Sequence, residues 1–365
     1  MPVVAPYRVS VINRLSKIDN LDLFIYSGQE LTGIGVSDYS EEIKTNLQVV
    51  RNWFLSPKNA RVIYAQGWTR VIRDKCRVVI ITEASHNLTN WLLLVARRFF
   101  GYRVVVMGHI KPWIGSGKTV LKLRKLLVTH ADAVIAYTTE GANQALEWGV
   151  PADRVVTMGN TLDLESIDLA KRLLTPAILQ STRNTLGFDD APVFLFVGRP
   201  TPPKRLDLAI EATLALEGSQ HPVNLVVIGD SKDIESYKAL AARSKRIVFL
   251  GEILKEDELA RYFALSAAVI LPGAVGLTIN HAFAYDRPLI TSRHAQHRPE
   301  IALAKEGCNS IFVSAASAGA FAEHMTRLSS DRALQKKLND CAKETAVPDQ
   351  NTMVERIADI IWSVA

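Results

Sequence analysis

Residues 267–291 read "AAVILPGAVGLTINHAFAYDRPLIT". A short apolar run meets a Pro-Gly turn, then a helix-length segment from about Leu277, then a second apolar run. Nearly all-apolar runs of this length suit parallel strands covered on both faces. The rhythm extends outward. "PVFLFVG" (192–198), "VNLVVIG" (223–229), "RIVFLG" (246–251) and "RPLIT" (287–291) read as strands, with helices at "LDLAIEATLAL" (206–216) and "DELARYFALS" (257–266). The first half has strands at 21–26, 77–81, 103–108, 133–138 and 154–159, and helices at 88–100, 117–131 and 140–148. Such alternation gives an α/β fold of two doubly wound, Rossmann-like domains facing a cleft. The polar stretch 176–191 reads as the junction. The expected domains are 1–175 and 176–345, with a C-terminal helix over 346–365 packing back on the first. A ligand in this layout sits outside the carboxyl ends of the strands, in the cleft.

The chain has 365 residues, of which 48% are hydrophobic and 22% charged, so a large core is expected and disorder is not. No apolar run reaches membrane-spanning length. Cys76, Cys308 and Cys341 are far apart and odd in number, which suits a reducing cytoplasm better than a disulfide framework. A net charge of +6 and a pI near 9.1 suit an anionic partner. "MPVVAPYR" is too short for a first strand and its loop, so this chain is expected to start inside that strand.

Two features converge on a diphosphate. In "VGRPTPPKR" (197–205), Arg199 and Lys204 flank a Pro-rich turn leaving a strand. Arg offers a planar fork and Lys a point charge. An isolated pair of this kind is more often a solvated loop, but its place at a strand's carboxyl end favours a ligand. In the quoted stretch, the free N–H groups of Gly276, Leu277 and Thr278 point out of a helix start and favour a phosphate. The Thr278 hydroxyl is expected to add a donor or to cap the helix.

Two other patterns carry no chemistry. "GSGKT" (115–119) lacks the earlier glycine of a P-loop, since Pro112 stands there, and reads as a helix start. "HAQH" (294–297) has no further ligand at zinc spacing. No nucleic-acid-binding module is recognisable. The basic-apolar stretches 90–103 and 118–128 are expected to pack their apolar positions on the sheet, while their Arg and Lys faces suit anionic lipid headgroups.

Across residues 192–313 the order and spacing of these motifs resemble the C-terminal domain of GT-B glycosyltransferases of the retaining group-1 class. The first half is similar more loosely, through "PYRVSVINRLS", "VVVMGH", "ADAVIAYT" and "GNTLD". The resemblance implies a diphosphate clamp at Arg199 and Lys204, a distal phosphate on Gly276, Leu277 and Thr278, and a base lined by the loop of Leu250 and Ile253. It implies a catalytic His109 near the donor sugar. It also implies a nucleotide-diphosphate sugar as co-substrate, with no cofactor and no metal.

The family's two glutamates of E-x7-E fall on Gly273 and His281. His281 is expected to face the ribose, where a neutral imidazole accepts one hydroxyl hydrogen bond and a carboxylate two. Gly273 offers only backbone to the sugar. The implied function is transfer of a sugar to a glycan or lipid-linked glycan, in bacterial-type surface polysaccharide synthesis. The implied location is cytoplasmic, peripheral to the plasma membrane's inner face. Two rivals stay open at this stage: a nucleotide-sugar epimerase on the same fold, and a non-catalytic nucleotide-binding partner protein.

Overall fold

The computed structural model describes residues 4, 6–28, 40–54, 63–65, 67–111 and 117–365. The chain divides into two compact units, Met1–Thr161 with Pro348–Ala365, and Leu162–Val347.

Unit 1 runs α1 (Pro6–Leu15), β1 (Phe24–Ser27), β2 (Asn46–Val49), β3 (Asn52–Phe54), β4 (Ile63–Ala65), α2 (Trp68–Arg73), β5 (Val78–Thr82), α3 (Leu88–Phe100), β6 (Arg103–Gly108), α4 (Lys118–Thr129), β7 (Ala133–Ala136), α5 (Thr139–Glu147) and β8 (Val155–Thr157). Strands β5-β6-β7-β8 form one parallel sheet, and β1-β2 form a separate parallel pair. Side chains alternate between the sheet's faces. Val104, Val106 and Val134 join α2–α5 in one core, while Val105, Ala133 and Ile135 join α1 in another.

Unit 2 runs α6 (Leu164–Leu173), α7 (Pro176–Thr185), β9 (Val193–Val197), a 3-10 turn at Pro202–Lys204, α8 (Leu206–Leu216), β10 (Asn224–Ile228), α9 (Ile234–Ala241), β11 (Ile247–Phe249), α10 (Glu256–Leu265), β12 (Ser266–Leu271), α11 (Thr278–Ala284), β13 (Leu289–Ser292), β14 (Ser310–Val313), α12 (Ala318–Ser330) and α13 (Arg332–Lys343). Its parallel sheet has the order β11-β10-β9-β12-β13-β14. The chain winds outward from β9 to β11, then returns to β12 on the other side of β9. The strand order therefore reverses between β9 and β12, and a crevice opens there at the strands' carboxyl ends.

The division falls at Thr161/Leu162 rather than at 175/176. The polar stretch read as a junction contains helix α7. Pro176 opens it and the Thr175 side chain caps it by accepting from the Ile178 N–H. Ile167 and Ala170 of α6 are buried in the core of unit 2, which draws that helix out of unit 1. The return to unit 1 comes at Pro348, and helix α14 (Gln350–Val364) sets Met353, Ile357 and Ile361 against Val105 and Ile135. The strand start expected at 1–4 lies outside the described residues except for Val4, and so do Gly115 and Ser116 of "GSGKT"; α4 begins at Lys118.

Helices α3 and α4 depart from expectation. Leu93, Leu94, Leu127 and Val128 pack on the sheet, yet Val95, Phe99 and Phe100 are 60%, 79% and 55% exposed. Val120, Leu123 and Leu126 of α4 are exposed as well, with Arg98, Lys118, Lys122 and Lys125 among them. No described helix is long and apolar enough to cross a membrane.

The cysteines also correct the sequence reading. Cys308 and Cys341 are bonded, their Cα atoms 5.4 Å apart across a separation of 33 residues. The fold sets α13 against the segment entering β14, where Asn309 Nδ2 donates to Thr345 Oγ1 at 2.8 Å. Cys76 is free. Closing a loop of this size restricts the unfolded chain by about 4 kcal/mol. Urea unfolding of the Cys308→Ser/Cys341→Ser variant without reductant is expected to show a loss of that order. The parent in reductant should match the variant; a parent indifferent to reductant contradicts a stabilising bond.

Candidate functional site

Strand β9 ends at Val197, and the chain turns at Gly198 with φ at 111°, a conformation that side chains rarely adopt. A Cβ at Gly198 would also come within 2.5 Å of Lys204 Nζ. Lys204 thus folds back over the strand end from the 3-10 turn. Two backbone hydrogen bonds join this turn to the one after β12: Gly273 N–H donates to the Lys204 carbonyl at 3.0 Å and Ala274 N–H to that of Pro203 at 2.7 Å. The turns that leave the two strands flanking the reversal are therefore one piece.

Three cations meet at this piece. Burial, then Arg199 and Arg298, lower the pKa of Lys204 to about 8. Arg298 was not read from the sequence. Its N–H donates to the Val275 carbonyl at 2.8 Å, and its side chain runs past Gly276, where an added Cβ would lie 3.4 Å from Arg298 Cγ. His297 anchors the same turn. Val275 N–H lies 3.3 Å from its Nδ1, and its Nε2 faces the Ser292 carbonyl at 2.7 Å. The "HAQH" histidine thus orders the glycine turn. Among the described residues no group of three or more His, Cys, Asp or Glu side chains is placed to hold a metal ion.

Helix α11 starts at Thr278, directly after Gly276 and Leu277. The Thr278 hydroxyl neither caps the helix nor adds a free donor; it donates to the Val197 carbonyl at 3.2 Å and ties α11 to β9. The Leu250 N–H donates to Val227 at 3.0 Å, extending β11 beside β10, and Leu250 and Ile253 pack partly buried against the core. The residues expected to line the base therefore follow β11, with β10 and β9 between that strand and β12.

The two replaced acids have separate physical explanations. At Gly273 a side chain has no room, because a Cβ would run into the Pro203 carbonyl and the Lys204 backbone. The turn that places Lys204 occupies the space. His281 is already engaged: its Nε2 lies 3.3 Å from Glu256 Oε2, and its ring stacks on Phe263 with centroids 5.5 Å apart. The ring expected to face the ribose thus also meets Glu256 and Phe263. Tyr285 donates to Glu256 Oε1 at 2.6 Å; burial, and then Glu256, raise the tyrosine's pKa and keep it protonated. A carboxylate thus stands beside the helix, supplied by the first residue of α10. Its only sequence signal is the acidic first turn "EDE" (256–258), which looks like ordinary helix-dipole compensation.

In unit 1, His109 follows β6. Its N–H lies 3.4 Å from Glu83 Oε1 and its ring meets Tyr137 edge-on, with centroids 4.8 Å apart. A Cβ on Gly108 would strike the Glu83 carboxylate. His86, its pKa lowered by burial and by Arg124, lies in the same region. Glu83 and His86 were not singled out from the sequence. His109 belongs to a different unit from Arg199, Lys204, Leu250, Ile253, Gly276, Leu277, Thr278 and His281.

Comparison with known proteins agrees with this layout. Residues 191–331 match the family model described as "Glycosyl transferases group 1". The chain is 25% identical over 210 residues to the alpha-D-kanosaminyltransferase of Streptomyces kanamyceticus, and the match spans 53% of each. It thus spans about half the length of that curated relative. A glycosyltransferase from Rickettsia africae superposes with a TM-score of 0.75 at 16% identity, covering 100% of this chain and 97% of that one. HepE of Anabaena, solved with UDP, superposes at 0.72 with 17% identity, covering 99% and 96%. The protein has the GT-B fold of two Rossmann-like units. Within its second unit, residues 191–331 are similar to the group-1 glycosyltransferase family.

Proposed function

We propose that the protein is a sugar transferase that takes its donor from a nucleotide-diphosphate sugar and passes it, with retention of configuration, to a glycan or lipid-linked glycan in surface polysaccharide synthesis. The observation that carries this reading is the cationic turn at the reversal point of unit 2. Burial, and then repulsion from Arg199 and Arg298, lower the pKa of Lys204 to about 8. A diphosphate relieves that repulsion. The relief grows as the glycosidic bond breaks and negative charge builds on the leaving phosphate, so it acts on the transition state. The N–H groups of Gly276 and Leu277 and the start of α11 assist at the distal phosphate. The acceptor hydroxyl loses its proton late, to the leaving phosphate. His109 acts at the donor sugar, its backbone fixed by Glu83.

A nucleoside-diphosphate screen by thermal shift finds the preferred base, since a ligand bound only by the folded state raises the melting point. Affinity for that nucleotide is expected to be flat between about pH 7 and pH 8, where the phosphates are ionised and Lys204 is charged. It should then weaken by up to tenfold per pH unit as free Lys204 loses its proton, because the bound phosphates hold the proton on. Phosphate itself is fully ionised well below this range. Lys204→Arg should abolish the dependence, and Arg199→Ala should weaken binding by about 2–5 kcal/mol. A parent with the same pH profile as Lys204→Arg contradicts the clamp.

Glu256 is proposed as the hydroxyl acceptor for the ribose, replacing the carboxylate that α11 lacks. Its oxygens keep lone pairs beyond those taken by Tyr285 and His281. Glu256→Gln is expected to lower affinity for the ribonucleotide by about tenfold and for the 2′-deoxy form by clearly less. Equal losses for the two place Glu256 away from the ribose.

The exposed apolar and basic side chains of α3 and α4 are proposed to sit on an anionic membrane, where a lipid-linked acceptor is found. Buried Phe and Val add hydrophobic attraction to that of the lysines. Phe99→Ser/Phe100→Ser should sediment less with vesicles containing anionic lipid, and high salt should release the parent. Equal sedimentation with neutral and anionic vesicles counts against this surface.

A further inference from the structure

Successive amides of the turn after β12 are tied down, and the last tie differs from the others. Gly273 N–H donates to the Lys204 carbonyl and Ala274 N–H to that of Pro203. Val275 N–H donates to His297 Nδ1 at 3.3 Å. The amides that follow are those of Gly276 and Leu277, at the start of α11. Backbone carbonyls do not titrate; an imidazole nitrogen does.

The geometry fixes the state of this imidazole. Its Nε2 faces the Ser292 carbonyl at 2.7 Å, and a carbonyl only accepts, so Nε2 carries the proton and Nδ1 the lone pair. A proton added to Nδ1 sets one donor against another, at the ring and at the Val275 amide. Val275 is fully buried, so bulk water cannot replace the lost acceptor. Its carbonyl also accepts from Arg298 N–H at 2.8 Å, so a displaced Val275 carries a clamp cation with it.

The charged groups around the ring are few. On its own segment stand Arg293, His294 and Arg298, and Glu300 follows in the 3-10 turn Pro299–Leu303. Arg293 is paired with Glu306 and lies over Phe312 of β14, whose ring meets His297 edge-on. From β13 and the glycine turn the ring meets a carbonyl and an amide, which do not titrate. Burial lowers the pKa of His297, opposed by its bond to Ser292, so the ring is neutral at neutral pH. We propose that neutral His297 is a positioning residue for the donor's distal phosphate: it holds the turn at Val275–Leu277 in its anion-binding shape, and its protonation releases that turn. This rests on the reading of the turn as a phosphate site. An imidazolium would also attract an anion, so the sign of the pH effect separates a latch from one more cation.

The test titrates the whole chain with inorganic pyrophosphate and with the nucleoside diphosphate that the thermal-shift screen selects. His297→Asn keeps a side-chain acceptor for Val275 and does not titrate; His297→Leu keeps bulk and offers no acceptor. At about pH 7.5 the Asn variant is expected to bind within about threefold of the parent, and the Leu variant about tenfold more weakly. On going to about pH 5 the parent should lose about fivefold more affinity than the Asn variant, with the loss setting in below about pH 6.5, the ordinary histidine value. Lys204 stays charged throughout this range, and protonation of the phosphates affects both proteins alike. Should the variants fold poorly, the Val275 amide of the nucleotide-free parent decides: its protection from exchange should fall about tenfold between the same pH values. A parent that binds neither probe overturns the donor site itself, whatever the amide shows. Equal pH profiles in the parent and the Asn variant, a parent that gains on that variant as pH falls, or a Val275 amide whose protection ignores pH overturns the latch.

Discussion

Two backbone hydrogen bonds, from Gly273 to the Lys204 carbonyl and from Ala274 to that of Pro203, organise the second unit's candidate site. They lock together the turns leaving β9 and β12, the neighbours between which the strand order reverses. Thr278 adds a third tie, from α11 to the end of β9. With the turns joined, Lys204 has one place to go, over Gly198 and toward Arg199 and Arg298. Concentrated positive charge at a half-buried turn costs free energy in the empty protein. An anion seated there would lower that cost.

The same joining explains why this chain departs from the acidic pattern of the class it resembles. A glutamate at 273 would need a Cβ where the Pro203 carbonyl lies. On α11 the departure is milder. Glu256 brings a carboxylate from the neighbouring helix, and His281 and Tyr285 hold it. Phe263, fully buried, stacks on both rings and fixes their planes. A charge that normally sits on one helix is thus carried by the adjacent one, within a packed aromatic cluster.

The first unit is built on different terms. Its β5–β8 sheet is well covered, yet α3 and α4 leave large apolar side chains in solvent, and two strand edges face one cavity. Among the described residues both features leave apolar surface uncovered, and on the outer helices Arg98, Lys118, Lys122 and Lys125 stand beside it.

Much of the fold was legible in the sequence, because strand and helix signals are local. The apolar runs at 193–197, 224–228 and 269–271 and the turn chemistry of "VGRPTPPKR" and "PGAVG" identify parallel strands followed by Pro- and Gly-rich turns without reference to anything distant. Whatever depends on a long-range partner was not legible. Helix α7 was hidden in a polar stretch because its capping and its packing on α10 lie outside composition. The bond between Cys308 and Cys341 depends on α13 folding back. Arg298 joins the clamp through a hydrogen bond to Val275, 23 residues before it, and Glu256 meets His281 across 25. The sequence determined which residues could carry charge to a phosphate. Tertiary structure decided which of them meet, because charge and burial act through distance in space, and distance along the chain does not record it.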